Sequence, residues 1–179
     1  MAFESIAPSL WIASGTPYGT EVIDLRDMYP WAKSTGYASP RSERYLIVHH
    51  TVTPPPTWRV VDEVIALIKV ANTAPYGLPY NFVVTPPGTV YYINDVDKAW
   101  PHTLNYNAHT AIACLGDYDK NPTESTMITS LEQLLHALRE MWAGQYECVV
   151  RAHREMPGNL TRCPGDKLYE VVKYIRDRW

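Results

Sequence analysis

The run Tyr45-Leu46-Ile47-Val48-His49 limits what this chain can fold into more than any other feature. It is apolar and partly β-branched, and Thr53-Pro54-Pro55-Pro56 stops it, so it reads as a buried strand that feeds a loop and leaves His49 and His50 at its end. Such a strand needs cover, and amphipathic helices follow it. Over residues 58–71, Val61, Val64, Ile65 and Ile68 recur in three- and four-residue steps that define one helical face. Tyr80-Asn81-Phe82-Val83-Val84 and Thr89-Val90-Tyr91-Tyr92-Ile93 flank the turn sequence Pro86-Pro87-Gly88 and predict an antiparallel hairpin. Residues 111–115 and 148–152 read as two further strands.

Thr129 and Glu132 read as a capping box opening a helix, with Leu131, Leu134, Leu135, Leu138 and Trp142 as its apolar stripe and Gly144 as its stop. A last helix is expected from about Asp166 to the terminus, with Leu168, Val171, Val172 and Ile175 inward and Lys173, Arg176 and Arg178 on a solvated face. Strands alternating with helices, plus a hairpin, predict an α/β single domain with a central mixed β-sheet flanked by α-helices. Residues 1–44 hold Pro8, Pro17, Pro30 and Pro40 and no sustained period, so they read as an N-terminal arm packed on a body spanning residues 45–179.

At 179 residues, with 46% hydrophobic and 20% charged residues, the chain suits one globular domain and excludes general disorder. Sixteen Lys plus Arg against nineteen Asp plus Glu give a formal charge of -3, which supplies no global attraction to nucleic acid or an anionic membrane. No apolar stretch is long enough for a membrane-spanning helix, and Glu4 stands where a secretory signal would place Lys or Arg. Synthesis in the cytoplasm without autonomous export is the expectation, with no membrane insertion and a monomeric state. Three cysteines do not make a disulfide framework in a chain this long. The 13 tyrosines and 15 prolines point to ordered loops and an aromatic, hydrogen-bonding cleft, which serves a binder of polar polymers as well as an enzyme.

Of six histidines, His136 lies mid-helix and His109 in a polar loop, and neither calls for a functional role. His153 follows the strand at 148–152, and Cys163 follows a loop containing Pro157, Gly158 and Asn159. Zinc is satisfied by imidazole nitrogen and thiolate sulfur, and a catalytic site needs three protein ligands and an open position. His49, His153 and Cys163 would supply that set, although a His-Cys pair in isolation is more often structural. Cys114 and Cys148 fall in apolar strand patterns and read as buried thiols.

Four words carry a family resemblance: Leu46-Ile47-Val48-His49-His50-Thr51, Tyr80-Asn81-Phe82, Arg151-Ala152-His153 and Thr161-Arg162-Cys163-Pro164-Gly165. In this order and approximate spacing the chain resembles the zinc-dependent N-acetylmuramoyl-L-alanine amidases, a group that includes phage lysozyme-type endolysins and the peptidoglycan recognition proteins. The resemblance covers about residues 45–175. It implies that His49, His153 and Cys163 hold one Zn2+, that Tyr80 and Thr161 are catalytic, and that His102, His50 and Asn81 serve substrate binding, with His102 lining the groove. Where the family usually has Ser-Ile-Gly-Ile, this chain has Thr110-Ala111-Ile112-Ala113, which questions local strand packing.

The implied activity is hydrolysis of the amide between N-acetylmuramic acid and the first L-alanine of the peptidoglycan stem peptide. A zinc held by two neutral imidazoles and a thiolate can polarise that carbonyl and lower the pKa of water toward about 7. Tyr80 would steady the oxyanion, Thr161 would hold the water or the same oxygen, and Glu155 near His153 stays open as a general base. The partner implied is bacterial peptidoglycan, a muramoyl peptide. The lack of a signal sequence favours a phage endolysin held in the host bacterial cytoplasm until it reaches the cell wall. A non-catalytic peptidoglycan-recognition module of the same fold is the alternative.

Overall fold

The computed structural model describes residues 18–38, 42–53 and 60–179. Six strands form one mixed sheet in the order β1-β5-β4-β7-β3-β8, where β1 is Val22–Asp24, β3 Glu43–His50, β4 Phe82–Val84, β5 Val90–Tyr92, β7 Thr110–Cys114 and β8 Glu147–Ala152. Only β4 and β5 are antiparallel neighbours; the other pairs run parallel. Two short strands, β2 (Gly36–Tyr37) and β6 (Lys98–Ala99), pair separately. Among the described residues three helices cover the sheet, α1 (Val60–Thr73), α2 (Ser125–Met141) and α3 (Asp166–Arg176), and a 3-10 turn at His153–Glu155 follows β8.

The sheet is buried on both faces, which explains why its central strands are near-continuous apolar runs. On one side Leu46, Val48, Phe82, Ile112 and Val150 pack under Leu131, Leu134 and Leu138 of α2 and Leu168, Val172 and Ile175 of α3. On the other, Val83, Tyr91 and Ala113 pack with Leu67 and Val70 of α1 and with Trp31 and Leu78. Ile112, at the position where the family usually has glycine, is fully buried in the first of these cores. The hairpin forms where expected, closed by the Thr85 N–H to Thr89 carbonyl bond (2.9 Å), but its strands are shorter than the apolar runs, and Tyr80 and Asn81 precede β4.

Several expectations need correction. Helix α2 starts at Ser125, four residues ahead of Thr129, and its N-cap Glu124 makes no side-chain cap. Contacts rather than capping chemistry set this start: Met127 is fully buried, and the Thr126 hydroxyl donates to the Pro86 carbonyl of the hairpin turn. Thr129 instead donates to the Ser125 carbonyl one turn back. In α1 the inward face is rotated, because Ile65 is exposed while Glu63, Leu67 and Val70 are buried, with the Tyr91 hydroxyl donating to the Glu63 carboxylate (2.7 Å). The Val61 side chain lies outside the described residues. In α3, Arg176 is not simply solvated, since it grips Glu155 at 2.8 Å.

The N-terminal segment contributes directly to the sheet. β1 pairs with β5 over Val22–Asp24, and Trp31, 2% exposed, accepts a backbone bond from Leu78 on its carbonyl. Gly77 (φ +74) permits this approach, since a Cβ there would stand 2.2 Å from the Trp31 carbonyl oxygen. β3 begins at Glu43, so the buried Arg44 belongs to it; its guanidinium lies 3.9 Å from the Trp142 ring and donates to Thr110 Oγ1 (3.1 Å).

Candidate metal centre

Strand register brings the site together. β3 and β8 run parallel with Val48 opposite Ala152, so His49 and His153 leave adjacent strands side by side. Side-chain alternation separates the two neighbouring histidines. Val48 belongs to the α2–α3 core, so His49 points to the α1 face, where Tyr80 packs against the core and sits 5.0 Å away, ring centroid to ring centroid. His50 turns to the opposite face, where its Nδ1 accepts the Tyr118 N–H (3.3 Å).

Cys163 arrives from the loop after the 3-10 turn. Its carbonyl accepts the Arg154 N–H (3.0 Å), and its own N–H donates to Thr161 Oγ1 (3.1 Å). Gly165 seats this loop: with φ +88, a Cβ there would fall 2.5 Å from the Tyr118 carbonyl carbon. The result is a cluster of His49, His153 and Cys163 whose ligand atoms all lie within 4.8 Å of one another. His49 Nδ1 is 3.7 Å from Cys163 Sγ.

The donor chemistry fits zinc. Burial first, then the neighbouring His153, His102 and His50, holds the His49 imidazole well below its ordinary pKa, and burial lowers His153 too, so both are neutral donors. Burial pushes the Cys163 thiol up to about 12 despite a bond from the His50 backbone N–H, so the thiolate needs a cation to stabilise it. Two imidazoles and one sulfur would hold a zinc ion and leave it a position for water or substrate.

The other expected residues divide. The half-buried Tyr80 stands against His49, its phenol raised above the usual range by burial and by Cys163, so it keeps its proton. Thr161 sits beside Cys163 with its hydroxyl hydrogen available to another acceptor. His102 is buried behind His49, Nδ1 to Nε2 3.3 Å, and also borders a cavity of about 230 Å³ with Thr51, Tyr76, Pro79, Tyr80 and Pro101. A larger cleft of about 640 Å³ shares Pro75, Tyr76, Gly77 and Pro101 with that cavity and is walled by the chain from Trp31 to Thr35.

Asn81 turns inward, 1% exposed, donating to the Asn94 and Asp95 carbonyls and accepting the Ala111 N–H, which makes it a clamp between chain segments. Glu155 is not free to act as a base. Burial raises its pKa, but Arg176, the Ala152 N–H and Tyr169 together hold it below the ordinary range. Two residues that the sequence reading passes over touch the ligands: Thr103 Oγ1 is 3.4 Å from His49 Nε2, and Asn159 Oδ1 is 3.2 Å from His153 Nε2.

Two imidazoles at the ends of parallel strands, with a thiol from the loop beyond and a tyrosine beside them, form a candidate metal centre on a mixed sheet covered on both faces. The family model described as N-acetylmuramoyl-L-alanine amidase matches residues 39–166, and the chain belongs to that family. Among curated proteins it is similar to peptidoglycan-recognition protein SC1a/b of Drosophila simulans and SC1a of Drosophila melanogaster, each 25% identical over 134 residues, 72% of this chain and 71% of the relative. Among solved structures it is similar in fold to bumblebee PGRP-SA, with TM-score 0.71, 22% identity, and coverage of 86% of this chain and 94% of that one. The endolysin N-acetylmuramoyl-L-alanine amidase LysCS from Clostridium intestinale shares the fold with TM-score 0.57, 21% identity, and coverage of 86% and 93%.

Proposed function

We propose that this chain is a zinc-dependent peptidoglycan hydrolase that cleaves the amide between N-acetylmuramic acid and L-alanine, and that it serves as a phage endolysin. The observation that carries this reading is the convergence of His49, His153 and Cys163 within 4.8 Å, with Tyr80 against His49. Zinc held there supplies Lewis-acid polarisation of the amide carbonyl and a water of lowered pKa. Tyr80, protonated at neutral pH, donates a hydrogen bond to the oxygen that gains charge as the amide is attacked. Thr161 orients the attacking water or the same oxygen through its hydroxyl. The cavity bordered by His102 and Tyr80 receives the muramoyl peptide.

A non-catalytic recognition module is the second reading, favoured by the names of the curated relatives; a fold neighbour, a variant of Drosophila PGRP-LB, is itself a complex with tracheal cytotoxin. Retention of all three donors and of the tyrosine supports catalysis over that reading. No helix among the described residues is long and apolar enough to cross a membrane. We assign the chain to the host bacterial cytoplasm until release to the wall, as a monomer without a nucleic-acid partner.

The test is release of new amino termini from purified cell wall, followed with chelator and after zinc is restored. Chelation should abolish release and zinc should bring it back, with about one zinc per chain by elemental analysis. Full activity in metal-free protein would sink the mechanism. Wall binding without hydrolysis on several wall types would move the protein to the recognition reading.

A further inference from the structure

Both imidazoles of the donor set are braced from behind by one short stretch of chain. We propose that the loop His102-Thr103-Leu104, acting with Asn159, locks His49 and His153 in the tautomer that offers Nδ1 to the metal, making Thr103 and Asn159 positioning residues of the centre. The inference rests on the metal-binding part of the proposed function.

The tautomers follow from the His109 carbonyl and the Asn159 amide, whose roles their partners fix. A backbone carbonyl can only accept, so the His109 carbonyl, 3.2 Å from His102 Nε2, places a proton on that nitrogen. Neutral His102 then carries a lone pair on Nδ1, to which the Thr103 hydroxyl donates over 2.8 Å. With its proton given to His102, Thr103 Oγ1 keeps lone pairs and is left as the acceptor facing His49 Nε2 at 3.4 Å, beside the His102 Nδ1 contact at 3.3 Å. His49 therefore bears its proton on Nε2 and its lone pair on Nδ1, the nitrogen that faces Cys163.

The same logic fixes His153. Asn159 Oδ1 accepts the Leu104 N–H (3.0 Å) while its Nδ2 donates to the Leu104 carbonyl (3.2 Å) and the Pro157 carbonyl (3.2 Å). A flipped amide would set donor against donor and acceptor against acceptor, so the orientation is determined. Oδ1 must then accept from His153 Nε2, again leaving Nδ1 for the metal. Leu104 is 62% exposed, so burial of its side chain does not place it; the pair of bonds to Asn159 ties it to the His153 side of the site. One loop thus braces His49 directly and His153 through Asn159.

Hydrogen-bonded partners of this kind are worth about 10–100-fold in metal affinity. In competition with a chromophoric chelator, Asn159→Ala and Thr103→Val should each weaken zinc binding by about that factor, and the double variant should lose less than the product of the two losses. Asn159→Asp keeps an oxygen for His153 and should fall nearer wild type. Imidazole nitrogen–proton NMR spectra of the metal-free protein should show His49 and His153 both protonated on Nε2. Unchanged zinc affinity in folded Asn159→Ala, together with a lowered melting temperature, would reduce Asn159 to a structural tie and overturn the proposal. A proton on Nδ1 of either histidine in the wild type would overturn it as well. If Asn159→Ala does not fold, Thr103→Val and the wild-type spectrum decide. Failure of the wild type to bind zinc would defeat the metal reading, while the tautomers would still decide this one.

Discussion

At the scale of single residues, Tyr80 and the two cysteines Cys163 and Cys114 separate chemistry from packing. Tyr80→Phe keeps the ring against His49 and removes one hydroxyl, so zinc and wall binding should persist while turnover falls by about a hundredfold, read from steady-state kinetics on solubilised wall. An unchanged rate would leave Thr161 as the only oxyanion partner from the chain. Cys163→Ser should lower zinc content and activity together, because a hydroxyl is a poor substitute for thiolate. Cys114→Ser should instead spare zinc content and cost about 1–3 kcal/mol in denaturant unfolding, since it places a hydroxyl in a fully buried strand position. Tyr80 and Cys163 are legible in the sequence because each sits in a short word, Tyr80-Asn81-Phe82 and Thr161-Arg162-Cys163-Pro164-Gly165, and Cys114 because it falls in an apolar strand run. Thr103 and Asn159 are not, because a hydrogen bond to the far side of an imidazole imposes neither period nor spacing. Asn81 misleads for a related reason: it lies beside Tyr80 in the same word, but backbone direction turns it into the interior.

At the scale of elements, long periodic segments are legible and contact-determined boundaries are not. The strand at Glu43–His50 and the helix at Asp166–Arg176 follow from their patterns, whereas β1, β2 and β6 have two or three residues each, too few to show a period. The start of α2 is set by Met127 and Thr126 meeting other elements, so a plausible capping sequence at Thr129 carries no weight. Thr129→Ala should accordingly change stability by less than about 0.5 kcal/mol in chemical denaturation, where a true N-cap would cost about 1 kcal/mol. The connection from β6 to β7 also imposes a pH dependence. Burial, the largest cause in each case, lowers His102 to about 3 and His109 to about 4 from an ordinary 6.5. The unfolded chain thus binds more protons than the folded one as the pH drops below 6.5, and stability falls from there toward those lower values, while above 6.5 these groups add no slope. Thermal midpoints of the metal-free protein across that range should show the decline, and His109→Asn should make it shallower. A flat profile would mean that both imidazoles accept protons without leaving their sites.

At the scale of the whole molecule, the family match starts at residue 39, but the folded unit does not. β1 covers the edge of β5, and Arg26 joins Asp24 to Asp95 at 2.8 and 2.6 Å, linking the N-terminal segment to the chain beyond the hairpin. A chain beginning at residue 39 would expose that edge and remove Trp31 from its core, so it should melt well below the full chain or collect in the insoluble fraction. Equal melting temperatures would show that the segment merely rests on the surface. The parallel pairing of β3 with β8 has a consequence in time. His49, in β3, and His153, just past the end of β8, stand side by side although 103 residues of sequence lie between them, and Cys163 comes later still. At about 5–20 residues per second, roughly 10–30 s of translation must pass before the last donor exists. Throughout that interval the growing chain lacks at least one of the three donors, so the candidate site is complete only after the longest-range pairing of the sheet can close.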